Sequence, residues 1–152
     1  MRGRRVVLFL LLVGFAAAGV IAQDISGQPL YGTQRLEAGF IPDPVVVQLD
    51  AGGSDEIPSS LGYGYIYAAA PDVDLVYQAG SFSLYIYVES DEDTVLLVNS
   101  PDGRWHFDDD TVGVNPVIVF PKPQSGMYNI WVGTFGGATA DAQLMISELD
   151  PR

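Results

Sequence analysis

The chain has 152 residues with seventeen glycines, ten prolines and no cysteine, and its seven basic residues face nineteen acidic ones for a net charge of −12. That length holds one ordinary domain, which can bury roughly two thirds of its unfolded surface. Such an acidic surface repels phosphate backbones and anionic lipid heads, which excludes nucleic acid as a partner, and the lack of cysteine excludes a disulfide scaffold.

The first stretch, "MRGRRVVLFLLLVGFAAAGVIAQD", sets three arginines ahead of an uncharged apolar run from Val6 to Ala22 that ends in small residues. This is the layout of a cleavable secretory signal over residues 1–22, so the protein is expected to be secreted or periplasmic. The run is slightly shorter than the roughly 20 residues that span a bilayer comfortably. A membrane is expected only through this segment, left uncleaved. Without it, four basic residues remain against nineteen acidic ones, a net charge of −15.

Residues 23–40 read as a polar leader in which "RLEAGF" is able to begin an edge strand. From residue 41 to 150 no helical stripe appears. Turn residues recur about every eight to twelve positions between short runs rich in Val, Ile, Tyr and Phe. These runs predict strands near Val45–Leu49, Gly64–Ala69, Leu75–Gln78, Ser81–Glu89, Thr94–Asn99, Arg104–Phe107, Pro116–Phe120, Met127–Thr134 and Ala142–Glu148. The fold class is all-β: an antiparallel, jelly-roll-like β-sandwich of about eight or nine short strands.

Alternation assigns the faces. "SFSLYIYVES" sends Phe82, Leu84, Ile86 and Val88 to the core and leaves Tyr85 and Tyr87 on the wet side. "GMYNIWVGTF" buries Tyr128, Ile130 and Val132 and turns Asn129 and Trp131 outward, while "DAQLMISE" buries Leu144 and Ile146. One-sided strands of this kind belong to antiparallel sheets with one solvated face. Pro101-Asp102-Gly103 supplies the fixed φ, the side-chain acceptor and the positive φ of a hairpin turn.

The richest stretch is "PDGRWHFDDDTVGVNP", residues 101–116. Asp108, Asp109 and Asp110 end a strand, and with Asp91 and Asp93 they offer oxygen ligands of the kind that calcium prefers. The same residues also read as a solvated acidic turn, and "SDEDT" lacks the glycine and distal glutamate of an EF-hand. His106, the sole histidine, faces opposite Trp105 and Phe107. No cysteine, no G-x-S-x-G elbow and no second histidine for zinc accompany it, which argues against an enzyme. A Ser-His-Asp set remains open. Trp105, Trp131, Tyr85 and Tyr87 are candidate ligand-binding aromatics, since rings on a wet sheet face make platforms for polypeptide or glycan. The alternative is that loops cover them.

Residues 93–148 carry a resemblance: Asp93 ahead of Leu96 and Val98, the Asp102-Gly103 turn, the aspartates after the next strand, Ile118 and Phe120, then Ser125-Gly126 with Tyr128. This run resembles the bacterial pre-peptidase C-terminal domain, and "AAAPDVDLVYQAGSFSLYIYVES" is similar to its front half. The resemblance implies a β-sandwich of the kind appended to secreted proteases and found in other exported proteins. Calcium binding in the similar collagen-binding domains of clostridial collagenases adds to the calcium expectation. The functional expectation is an exported, non-catalytic module for binding or accessory work on an extracellular or envelope polypeptide or glycan. The alternatives are a small secreted hydrolase using acidic residues and an envelope-anchored structural protein.

Overall fold

The computed structural model describes residues 23–152; the expected signal over residues 1–22 lies outside them. Eleven strands are present: β1 (Thr33–Glu37), β2 (Val45–Ala51), β3 (Asp55–Glu56), β4 (Tyr65–Ile66), β5 (Val73–Gln78), β6 (Leu84–Glu89), β7 (Thr94–Asn99), β8 (Trp105–Asp108), β9 (Val117–Phe120), β10 (Gly126–Thr134) and β11 (Ala140–Ser147). One sheet runs β2-β11-β6-β9. The other has β8-β7-β10 followed by β5 and β1, with β4 and β3 against the far end of β10. Eight of these strands, in the orders β2-β11-β6-β9 and β8-β7-β10-β5, form two antiparallel layers with the connectivity of a jelly roll. β1 is added parallel to β5, Thr33 opposite Asp74 through Glu37 opposite Gln78.

The core lies between the layers. Leu84, Ile86 and Val88 from β6, Leu96 and Val98 from β7, Tyr128, Ile130 and Val132 from β10, and Leu144 and Ile146 from β11 are all buried in it. The alternation therefore set the register correctly, and a slip of one residue would have reversed every face. Phe82 is an exception. It is 51% exposed and sits in the bend before β6, whose first residue is Leu84, so the pleat that would have turned it inward has not begun.

The two outer faces differ. Over the β5–β10–β7 sheet lies a second apolar layer of Ile57, Ile66, Val95, Leu97 and Trp131, covered by Leu61, Trp105 and Phe107. The excursion between β2 and β5 supplies much of that cover. Gly62 lies so close to Phe107 that an added Cβ would come within 2.3 Å of its ring, so only glycine fits there. The N-terminal segment covers the rest: the Asp24 N–H donates to Ala68 O at 2.9 Å, and Asn129 Nδ2 donates to Ile25 O and to Asp74 Oδ1. The other outer face holds a smaller cluster of Tyr87, Val117 and Met145.

A side chain completes the β10-containing sheet where strands run out. Between its ladders to β5 and β4, β10 meets Asp72: the Asp72 N–H donates to Ile130 O and the Val132 N–H donates to Asp72 Oδ2 at 2.7 Å. Asp72 is 2% exposed, and burial pushes its carboxyl up to about 7 despite that hydrogen bond.

Candidate functional site

One end of the sandwich is built from the loops that follow β3, β6, β8 and β10. Two backbone bonds tie the β6, β8 and β10 loops together, a third closes a turn within the β8 loop, and the loop after β3 is joined through the Tyr63 hydroxyl to Asp109. The Phe135 N–H donates to Asp93 O at 3.0 Å, the Thr94 N–H donates to Val114 O at 3.2 Å, and the Val112 N–H donates to Asn115 O at 2.9 Å to close a tight turn. The ties hold the loop backbones and leave large apolar side chains outside. Tyr63 is 46% and Phe135 55% exposed, and Val112 and Val114 are exposed beside them. Tyr63 packs edge-on to Phe107 with ring centroids 4.9 Å apart and to Phe135 at 5.8 Å.

Carboxylates border this patch. The Tyr63 hydroxyl donates to Asp109 Oδ2, and that bond, more than burial, pushes the phenol up to about 12. Desolvation first, then repulsion from Asp109, Asp93 and Asp108, raises Asp110 above the usual carboxylate range. Among the described residues no positive charge answers them. The basic residues after residue 22 are Arg35 on β1, Arg104 in the β7–β8 turn, Lys122 between β9 and β10, and Arg152 near the C-terminus, all away from these loops.

The five candidate calcium ligands do not converge. Asp108 Oδ2 accepts the Val117 N–H at 2.7 Å and so joins β8 to β9 across the two sheets. Asp109 is engaged by Tyr63. Asp91 lines a separate open groove of about 460 Å³ with Glu89, Ser90, Asn115 and Asp141. Only Asp93 and Asp110 remain without a side-chain partner near the patch, and among the described residues no three acidic or histidine side chains are placed to hold one ion.

The opposite end holds the histidine. Ser100 Oγ lies 3.0 Å from His106 Nε2, 2.6 Å from Asp102 Oδ1 and 3.1 Å from Arg104 O. The sequence leaves a Ser-His-Asp set open, and the structure brings those residue types together in the wrong order. A triad needs histidine between serine and aspartate, with the serine proton moving to the ring. Here the Ser100 proton goes to Asp102, the stronger acceptor, and that bond heads the causes holding Asp102 down to about 2. His106 Nε2 then donates to Ser100 and is no base toward it. Burial, followed by the nearby Arg104, lowers the His106 pKa, and its ring packs edge-on to Phe120 at 4.8 Å. The cluster closes the Ser100–Arg104 turn.

The four candidate aromatics also separate. Trp131 points outward from the core as expected, yet it is fully buried, because the β2–β5 excursion lies over it. Trp105 packs against it at a tilt, with ring centroids 5.4 Å apart, and is half-buried. Neither is a solvent-facing platform. Tyr85 and Tyr87 lie on the opposite outer face among Val117, Val119 and Met145, and Tyr87 is only 8% exposed. The aromatics that do reach solvent at a loop cluster, Tyr63 and Phe135, sit in "LGYGY" and "TFGGAT". Strand periodicity gives no information on such loops. The available signal was an aromatic among glycines, where nothing nearby is large enough to cover it.

No family model and no curated protein matches the chain. Among solved structures it is similar to PliG of Aeromonas hydrophila, a periplasmic lysozyme inhibitor of g-type lysozyme. The TM-score is 0.41 at 12% identity, over 76% of this chain and 96% of that one. A likeness at that level transfers neither a ligand nor a residue role.

Proposed function

We propose that this is an exported, non-catalytic binding module, of the pre-peptidase C-terminal type in its sandwich, that engages a polypeptide partner through the loop end. The observation that carries this reading is the solvent-facing set of Tyr63, Phe135, Val112 and Val114, on a loop cluster held by backbone bonds between the β6, β8 and β10 loops and by the Tyr63 side chain on Asp109, Phe107 and Phe135. Contiguous exposed apolar surface rimmed by polar groups marks interaction sites, and rigid aromatics are favoured anchors in them. Aliphatic side chains beside the rings favour a polypeptide over a glycan, which needs convergent amide and hydroxyl partners. Catalysis finds no support, since the one serine–histidine contact is spent on a turn.

The test uses a photoreactive residue at Gly136, where an added Cβ meets open space, and a control at Glu37 on β1. Adducts formed in the native envelope from position 136, absent from position 37 and lost on Phe135→Ser, are expected. Adducts equal at both positions, or none at 136, would reject the loop end as the recognition surface.

A further inference from the structure

We propose that the loop end seats an arginine side chain of a basic polypeptide, with its guanidinium between the rings of Tyr63 and Phe135 and the carboxylates of Asp93 and Asp110. This rests on the reading that the loop end is the recognition surface, and it names the chemistry of the partner. The rings are exposed and pack edge to face with centroids 5.8 Å apart, so together they form one aromatic surface on which a cation can lie. Aromatic faces attract cations, more often arginine than lysine. A guanidinium also presents a planar fork of donors that suits a carboxylate and stacks on a ring, which an ammonium does not. Asp93 and Asp110 make no side-chain hydrogen bond among the described residues and repel each other, so an incoming cation relieves a cost already present in the free protein.

Among the described residues no basic side chain is placed to supply that cation. Of the chain's four basic residues after residue 22, Arg104 and Arg152 are paired with Asp102 and Asp150 at 2.6 and 2.9 Å. A second copy docking by the same end would bring carboxylates against carboxylates. A divalent ion alone finds no three ligands in position and leaves the apolar patch bare. A basic polypeptide meets both halves of the surface, since the residues beside its arginine can cover Val112 and Val114.

Short blocked peptides with paired arginines in a Gly-Ser background, and their lysine and glutamate counterparts, would be titrated calorimetrically into the protein at fixed ionic strength. The arginine peptide is expected to bind more tightly than the lysine peptide, and the glutamate peptide not at all. Asp93→Asn with Asp110→Asn should weaken the arginine peptide about five- to ten-fold, and Phe135→Ser by a similar factor. Glu37→Gln with Asp50→Asn removes the same charge from exposed positions on β1 and β2 and should change affinity less than about two-fold. Equal losses from the two pairs would mean diffuse attraction and overturn the seat. So would a Phe135→Ser variant that binds unchanged, displacement of the peptide by Ca²⁺ at constant ionic strength, or no binding of the arginine peptide. If adducts from position 136 still depend on Phe135 while the arginine peptide fails to bind, the recognition surface stands and the guanidinium seat falls.

Discussion

The short strand β8 runs between the two ends of the sandwich, which use similar side chains to opposite effect. At the turn before β8, Ser100, Asp102, Arg104 and His106 satisfy one another within a few ångströms. At its other end, Asp109 is paired only with a tyrosine, Asp110 has only like charges near it, and Phe135 and Tyr63 face water. A cluster that looks catalytic but is internally satisfied is structural. Groups left exposed and mutually repelling on tied loops are the ones poised for something external. The contrast teaches that partnership, more than residue type, separates scaffold from site.

Substitutions at the two ends and along the seam between them test this contrast. Trp131→Ala should cost roughly 3–5 kcal/mol in urea or guanidinium unfolding, as truncation of a buried Trp does. A loss within a few tenths would return Trp131 to the surface. Asp72, on the seam between the ends, gives a pH signature. Its folded pKa of about 7 lies above the unfolded value of 3.8, so the neutral form is favoured on folding. Its contribution is full below pH 4 and is lost as pH rises through 7. Wild-type stability should fall on the order of 2–4 kcal/mol more than that of Asp72→Asn between pH 4 and pH 8. Identical pH profiles would mean that Asp72 does not titrate in that window.

The ends themselves come next. Ser100→Ala leaves Asp102 and His106 without their shared hydroxyl and should cost about 1–2 kcal/mol. Phe135→Ser should stay within about 0.5 kcal/mol of wild type. If the two substitutions cost the same, the ends do not differ as described. Asp110→Asn should raise the melting temperature slightly by removing repulsion. The smallest effect concerns metal: Ca²⁺ and Mg²⁺ at equal ionic strength should raise the melting temperature alike by screening. A calcium-specific rise that disappears in Asp109→Asn would show that the five carboxylates do gather around an ion.

Much of the sandwich was legible because period-two alternation is strong in β6, β10 and β11, where one face is a packed core. The inward set Ile86, Ile130 and Ile146 follows from it directly. What covers the other face was not legible. Whether Trp131 meets water depends on where the excursion through Gly62 folds, a contact between residues about seventy apart that no local pattern encodes. The short strands β3 and β1 were missed or only half-seen because "DE" and "TQRLE" lack apolar alternation; they are placed by their neighbours, β4 and β5. The site was legible only in its acids. Asp93 and Asp110 stood out as charge, whereas Tyr63 and Phe135 belong to loops whose conformation comes from tertiary contacts.

The parallel strand β1 also decides what the sheet offers to other molecules of the same protein. β5, "VDLVYQ", is buried along most of its length and is rich in strand-forming residues. Without Thr33–Glu37 beside it, its backbone donors and acceptors would line an open edge, a template on which further chains can add. β1 occupies that edge with alternating exposed Thr33, Arg35 and Glu37, side chains that suit water and discourage stacking. Clipping the chain between β1 and β2 would therefore threaten solubility before it threatened the core.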